Sequence, residues 1–302
     1  MDYIRKKGMW SKMKESNKIV FLILHYKIID ETIKCVESII SNYNNENYEV
    51  VIVDNGSIDG TGEILKEKYK NSSNIYVIIN KKNLGFAKGN NVGFEFAKKR
   101  GAKYIIMVNN DIVFTQRDFC KLMVEKYNEF HYAVLGPKIL LPKGDEFCYN
   151  IKVKNIKEQY IFIFLLYIRL FLAYINLGKI FEILFKKKNK KRKNRIDINL
   201  KRENVPIYGC CIIFSEDYIN KFDGIDDRTF LYCEESLLYL RILENKLKIL
   251  YDPQLEILHN HSVATKQLNN TIRKKEIFVV KNLIKSNKIL LNELKKYKRM
   301  CK

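Results

Sequence analysis

Apolar positions along the 302-residue chain follow two rhythms. Lys18–His25 (KIVFLILH), Tyr48–Val53 (YEVVIV), Ile75–Ile79 and Tyr104–Val108 (YIIMV) are short, almost unbroken apolar runs. Their length and lack of alternation predict strands buried on both faces. Glu31–Ile40, Thr61–Tyr69 and Phe86–Lys99 lie between them and read as helices. Strand and helix in turn imply right-handed β-α-β units and a parallel sheet. Such sheets bind ligands beyond the C-terminal ends of their strands. Two of these strands end on short acidic turns, at Asp54 and Asp111, which are expected to face one crevice.

After Pro142 the pattern breaks. Gln159–Phe185 is dominated by Ile, Leu, Phe and Tyr. Its polar members Arg169, Asn176, Lys179 and Glu182 follow at spacings of seven, three and three, which is one face of a helix. The α/β pattern resumes with a strand at Ile207–Phe214, a helix at Glu234–Asn245 and a strand at Lys248–Tyr251. A basic amphipathic helix, roughly 272–298, closes the chain. The expected organisation is a basic extension over 1–17 and an α/β body over 18–265. An apolar and basic helical insertion, 155–200, interrupts that body, and a C-terminal helical segment covers 266–302.

Charge sharpens this division. The formal net charge is +21, and three segments account for all of it: +4 in residues 1–18, +8 in 186–195 (KKKNKKRKNR) and +9 in 273–302. A neutral body with basic appendages suits attraction to an anionic surface more than a core built on nucleic acid. The run 186–195 also lacks the interleaved aromatics of a single-strand binder. Seven cysteines without a C-x-x-C pair imply a reduced, cytosolic chain and no zinc site. No apolar stretch of signal-peptide length follows the basic start.

The candidate chemistry sits at strand ends and helix starts. Asp54, in VIVDNGSIDGTG, leads a Gly-rich turn, either as a turn residue or as a carboxylate facing a nucleobase or ribose. Asp59 fits a loop contact or a helix cap. Asn83–Gly93 (NLGFAKGNNVG) starts a helix whose backbone amides suit a diphosphate, with Lys88 as a charge partner. Asn109-Asn110-Asp111 offers one carboxylate to a divalent ion carried mostly by a nucleotide diphosphate. Glu234-Glu235 opens a helix, where the dipole favours acids. Neighbouring helix residues diverge by about 100°, so one of them, Glu235, is the choice for a general base. His259 and His261, one residue apart at another strand end, offer a metal or phosphate ligand.

The stretches VIVDNGSIDGT, NKKNLGFAKGNNVGF, YIIMVNNDI, IYGCCIIFS, FDGIDDRTFLYCEESLLYLR and DPQLEILHNHS occur in an order that resembles the family-2 glycosyltransferases of GT-A fold, particularly the bacterial rhamnosyltransferase-like members. The likeness spans roughly 18–142 and 205–265. It implies a GT-A (Rossmann-like) sheet flanked by helices and an inverting sugar transfer from a nucleoside diphosphate sugar, aided by Mn²⁺ or Mg²⁺. It implies metal binding at Asp111 and His259, and a general base at Glu235 with Glu234 beside it. The donor side would comprise Asp54, Asn55, Asp59, Asn83, Gly85, Lys88, Asn90, Asn109 and Gly209. Two positions depart from the family pattern: Leu237 stands where many relatives carry Asp, and Lys27 where they carry Asn.

A transmembrane reading of Tyr160–Leu177 is disfavoured by Arg169 at its centre, which costs ~2.5–3.5 kcal/mol on insertion scales. A single span would also put Asp54 and Asp111 on one side of the membrane and Glu235 on the other. The expectation is a peripheral protein on the cytoplasmic face of the plasma membrane, its polybasic run on anionic lipid. Expected partners are the sugar donor and a saccharide or lipid-linked acceptor in cell-surface polysaccharide synthesis, and no nucleic acid. Three rivals are a nucleotidyltransferase, which would need a Gly-rich loop in place of His25-Tyr26-Lys27-Ile28, a basic nucleic-acid-binding protein, and a catalytically silent partner protein.

Overall fold

The computed structural model describes residues 17–43, 47–142, 153–177, 197–260 and 272–300. His261, the polybasic run 186–195 and the basic extension up to residue 16 lie outside these residues, as do Lys179 and Glu182. The elements are β1 (Ile19–His25), α1 (Ile29–Tyr43), β2 (Tyr48–Asp54), α2 (Thr61–Lys68), β3 (Ile75–Ile79), α3 (Phe86–Lys99), β4 (Tyr104–Asn109), β5 (Ile112–Val113) and α4 (Phe119–Phe130). They continue as β6 (Val134–Leu140), α5 (Ile156–Tyr174), β7 (Arg202–Glu203), β8 (Cys211–Phe214), α6 (Glu216–Ile219), α7 (Glu234–Glu244), β9 (Ile249–His259) and α8 (Ile272–Met300).

The strands form one sheet in the order β3-β2-β1-β4-β8-β6-β9-β5, with β7 paired to β9. β3, β2, β1 and β4 are parallel, β8 runs antiparallel between β4 and β6, and β6 and β9 are parallel again. The parallel half is the predicted β-α-β succession. In β1 the residues alternate between faces, so an unbroken apolar run feeds two cores. Ile19, Phe21 and Ile23 pack with α1, α2 and α4. Val20 and Leu22 pack with α3, α6 and α7. Phe21 lies against the rings of Tyr43, Tyr48 and Phe114, at 5.5, 5.9 and 5.2 Å between centroids.

The sequence pattern predicts no element over β5, α4, β6, β7 and α6, and it bounds two strands differently. β9 runs on from Tyr251 to His259, through Pro253. β6 carries Gly136-Pro137 within it. The two prolines meet in one irregularity: Asp252 pairs with Pro137, but the next pair is Glu256 with Lys138. A bulge absorbs the missing N–H donors, so both strands survive their prolines. β8 begins at Cys211, four residues later than expected, because Gly209 and Cys210 turn to meet Glu235 and Asn109.

A third and fourth layer lie beyond α7. Leu237 and Leu240 pack on Leu290 and Leu294 of α8, and α8 packs on α5 through Leu166, Val280 and Ile284. α5 starts with a capping box, in which Glu158 N–H donates to Asn155 Oδ1 at 2.9 Å and Asn155 N–H to Glu158 Oε2 at 3.1 Å. It ends at Tyr174, and Asn176 stands beyond it in a left-handed turn (φ 64°). Of the predicted polar face, Arg169 points to α8, where it pairs with Glu276 at 3.2 Å. No helix among the described residues is long and apolar enough to cross a membrane.

Candidate active site

Parallel register brings β1, β2 and β4 to one level, with His25 opposite Asp54 and Leu24 opposite Asn109. The turns that follow open on this edge of the sheet. Asp54 is fully buried, and both its oxygens lie 3.2 Å from Ser57 N. Asn55 is a strut: its Nδ2 donates to Gly85 O and Asn83 Oδ1 at 3.1 Å each, and its Oδ1 accepts from Leu84 N–H at 3.1 Å. Asn83 Oδ1 also accepts from Gly85 N–H at 2.8 Å. Asp59 starts α2 by accepting from the Thr61 hydroxyl at 2.7 Å. Lys88 is exposed on the first turn of α3, whereas Asn90 is buried and donates to Phe86 O at 3.0 Å. Asp54, Asn55 and Asn90 thus shape the turns from inside, while Asp59 and Lys88 reach the surface.

His25 carries no spacing signal in the sequence, yet it organises this edge. Fully buried, it holds Thr32 Oγ1 at 2.7 Å and Thr61 Oγ1 at 3.0 Å, tying the first turns of α1 and α2 to the end of β1. Burial holds its pKa below the usual histidine value, against the pull of Asp54 and Asp59.

Gly85 joins this edge to the loop before Glu234. It sits at φ 86°, where an L side chain is strained, and a Cβ there would stand 2.4 Å from Phe230 O. Phe86 N–H donates to the same carbonyl at 2.9 Å. Further on, Tyr232 and Cys233 are both left-handed, at φ 75° and 72°. Two such non-glycine residues cost about 1–2 kcal/mol each. Ser286 of α8 holds the loop by donating from Oγ to Leu231 O at 2.6 Å. The kink aims the first turn of α7 so that its two acids part. Glu234 turns inward and accepts from Thr229 Oγ1 at 3.0 Å. Glu235 stays partly exposed and accepts from Gly209 N–H at 3.3 Å. A Cβ on residue 209 would stand 2.7 Å from Glu235 Oε1, so a side chain there would push the carboxylate off this approach.

Burial raises the pKa of both carboxyls, that of Glu234 from an ordinary 4.5 up to about 7. For Glu234 the sign is that of a penalty. The unfolded chain ionises first, so stability is full below about 4.5, is lost as pH rises to about 7 and stays lower beyond. The loss is on the order of 3 kcal/mol. Glu234→Gln keeps an acceptor for Thr229, so the difference in urea stability between variant and wild type should grow across that pH window in the variant's favour. Parallel stability profiles would show that Glu234 ionises freely.

On the other side of Gly209, Asn109 N–H donates to Cys210 O at 2.9 Å. Asp111 follows two residues later. Burial pushes the Cys210 thiol up, and the charges of Asp111 and then Glu235 push it further, so this thiol lies within electrostatic reach of both carboxylates. β5 pairs with β9 and carries Asp111 beside His259, with Oδ1 and Nε2 3.1 Å apart. Asp111 Oδ1 is buried and makes no hydrogen bond, so the closeness to His259 is a matter of distance without hydrogen-bond angles. Adjacent ligands of an octahedral ion with bonds of about 2.1 Å stand about 3.0 Å apart. The pair therefore fits two neighbouring positions on a Mg²⁺- or Mn²⁺-sized ion. Among the described residues no three His, Cys, Asp or Glu side chains gather in one such group.

The family model for glycosyl transferase family 2 matches residues 21–221, about two thirds of the chain. The protein belongs to this family. Among curated relatives, the dTDP-rhamnosyl transferase RfbF of Shigella flexneri is 27% identical over 130 residues, which are 42% of this chain and 42% of RfbF. An uncharacterised glycosyltransferase of Rickettsia bellii is 31% identical over 112 residues, 37% of this chain and 15% of the relative. The chain thus spans less than half the length of these curated relatives. Among solved structures, S. aureus TarS 1–349 in complex with UDP-GlcNAc superposes with a TM-score of 0.54 at 16% identity, over 88% of this chain and 65% of TarS 1–349. The same TarS fragment in a second crystal structure gives 0.53 at 15% identity, over 93% and 71%. At such identities the likeness is one of fold.

The two departures of this glycosyltransferase from the family pattern have visible reasons. Lys27 is left-handed (φ 67°), a conformation in which Asn is enriched, and its N–H donates to Ser57 Oγ at 2.8 Å. Lysine keeps that backbone bond at some conformational cost. Leu237 is buried under α8, where a carboxylate would have to face Leu290 and Leu294. Hydrophobic packing of the C-terminal helix has taken this position.

Proposed function

We propose that the protein transfers a sugar, with inversion, from a nucleoside diphosphate sugar to a hydroxyl of a saccharide or lipid-linked acceptor. The setting is cell-surface polysaccharide synthesis at the cytoplasmic face of the plasma membrane. The observation that carries this reading is the placement of Glu235 and Asp111 on either side of the Gly209-Cys210 turn, at the edge where the parallel strands end. Glu235 is the partly exposed acid, and it takes the proton of the acceptor hydroxyl as that oxygen attacks the anomeric carbon. Gly209, bare of a side chain, lets that carboxylate close on its backbone N–H. Glu234, turned inward on Thr229, braces the first turn of α7. The Cys210 thiol is held protonated by burial and offers no nucleophile for a covalent intermediate, which supports a single displacement. Asp111 and His259 would hold the divalent ion, which supplies positive charge to the departing diphosphate. Asp59, Asn83, Lys88 and Asn109 are the donor-side groups nearest solvent; Asp54, Asn55 and Asn90 set the shape they work from.

The relatives support a pyrimidine nucleotide donor: RfbF is a dTDP-rhamnosyl transferase, and TarS was solved with UDP-GlcNAc. Calorimetry of the full chain against UDP-, dTDP- and GDP-sugars, with Mn²⁺, Mg²⁺ or EDTA, tests the reading. The expected outcome is binding of a UDP- or dTDP-sugar that EDTA removes. A folded protein that binds none of them would be a silent partner in place of a transferase.

A further inference from the structure

α5 is inside out. From Tyr160 to Ile175 its exposed positions are Tyr160, Ile161, Phe164, Tyr167, Ile168, Phe171, Tyr174 and Ile175, all aromatic or aliphatic. Phe164 and Phe171 are 65% and 63% exposed. The polar members face the protein instead: Gln159 is fully buried and donates to Asn287 Oδ1 at 2.6 Å, and Arg169 pairs with Glu276. A helix on the surface of a soluble protein shows the opposite pattern.

One edge of this stripe is built in register with charge. Tyr160, Tyr167 and Tyr174 recur every seven residues along α5. Lys295, Lys288 and Lys281 recur every seven along the antiparallel α8, with each ammonium 5.0, 5.2 and 5.5 Å from its ring. The acids of the two helices are engaged elsewhere: Glu158 in the α5 cap, Glu276 with Arg169, and Glu293 with Arg228 and Lys296. The layer thus presents an apolar stripe, a tyrosine border and a lysine row, with no carboxylate of α5 or α8 left without a partner. The strongest basic run of the chain, 186–195, follows the helix in sequence.

We infer that the Ile161–Phe164–Ile168–Phe171–Ile175 face of α5 and the lysine row of α8 form one docking surface for an anionic bilayer, lying in the interface plane. The inference rests on the membrane placement proposed above and assigns it to a particular face. Apolar side chains enter the acyl boundary, tyrosines sit at headgroup level, and lysines meet the lipid phosphates. A second copy of the chain is a poorer occupant, because the antiparallel twofold pairing of these stripes would bring lysine rows together, and the parallel one would leave each row without an anionic partner. α8 also holds the loop before Glu234, through Ser286 and through Phe278 against Phe230 at 6.2 Å. The docked layer therefore borders the acceptor side of the site, which suits an acceptor carried on a lipid.

The test is flotation of the full chain with phosphatidylcholine vesicles, with and without phosphatidylglycerol. Variants are F164S/F171S, K281Q/K288Q/K295Q, and Gln at every basic residue of 186–195. A fluorescent reporter, F164W in a W10F background, reads the face directly; Trp10 is the one tryptophan of the chain. Donor binding serves as the folding control, since none of these residues belongs to the donor site. The expected result is binding to anionic vesicles that falls about tenfold or more in each of the first two variants, with a blue shift of the reporter's indole emission. If both variants float like wild type while the 186–195 variant does not, the face is not the docking surface although membrane attachment stands. If wild type floats with neither vesicle, the membrane reading itself fails. Emission already blue and unmoved by vesicles would mean that another segment of this chain covers the face. Dimers dispersed by F164S/F171S would make it an interface between copies. Either result overturns the proposal.

Discussion

Glu235→Gln should retain donor binding and lose transfer, with turnover falling by about 100- to 10,000-fold. The substitution is close to isosteric, and the amide oxygen can still accept from Gly209 N–H, so the turn at the start of β8 survives. What disappears is the capacity to hold the acceptor's proton. Burial holds the carboxyl of Glu235 above the usual carboxylate range, which strengthens it as a base. Wild-type turnover should therefore rise with pH along a limb lying above that range, and the variant should lose the limb. The measurement is a pH series of turnover beside calorimetric donor affinity. A normal turnover in Glu235→Gln would move the base to another group.

Asp111→Ala should abolish the metal-dependent part of donor binding, with affinity in Mn²⁺ falling about 100-fold or more toward the value in EDTA. Asp111 places a buried oxygen, free of hydrogen bonds, 3.1 Å from His259 Nε2. Its backbone carbonyl accepts from Asn260 N–H at 2.9 Å, a bond that alanine keeps, so β5 should remain seated on β9. Circular dichroism identical to wild type, together with a lost EDTA effect, is the expected pair of results. Unchanged donor affinity in Mn²⁺ would take the ion away from this residue.

These two residues differ in how far sequence could reach them. Asp111 follows a strand that an apolar run announces, and its turn is short and polar, so its place at a strand end was legible. Glu235 was legible as one of two acids on a helix start, separated from its neighbour by the geometry of the helix. Its partner was not: Gly209 is 26 positions away, and their meeting depends on the left-handed pair Tyr232-Cys233 and on the hold of Ser286 from the last helix. His25 shows the same limit from the other side. It ends the most apolar strand of the chain and looks like an accident of composition, but it fastens two helices to the site edge.

The sequence by itself determined the parallel half of the sheet, its flanking helices and the positions of the acids at their ends. Strand and helix periodicity are local, and a residue's distance along a regular element follows from counting. Tertiary structure alone decided the rest. Pro137 and Pro253 remain within strands because each meets the other's bulge, a matter of pairing across more than a hundred residues. α5 turns Arg169 inward and Phe164 and Phe171 outward because α8 supplies Glu276 and Asn287 where the core would otherwise be apolar. A hydrophobic period specifies that a helix has two faces, but which one is buried depends on the partner that packs against it.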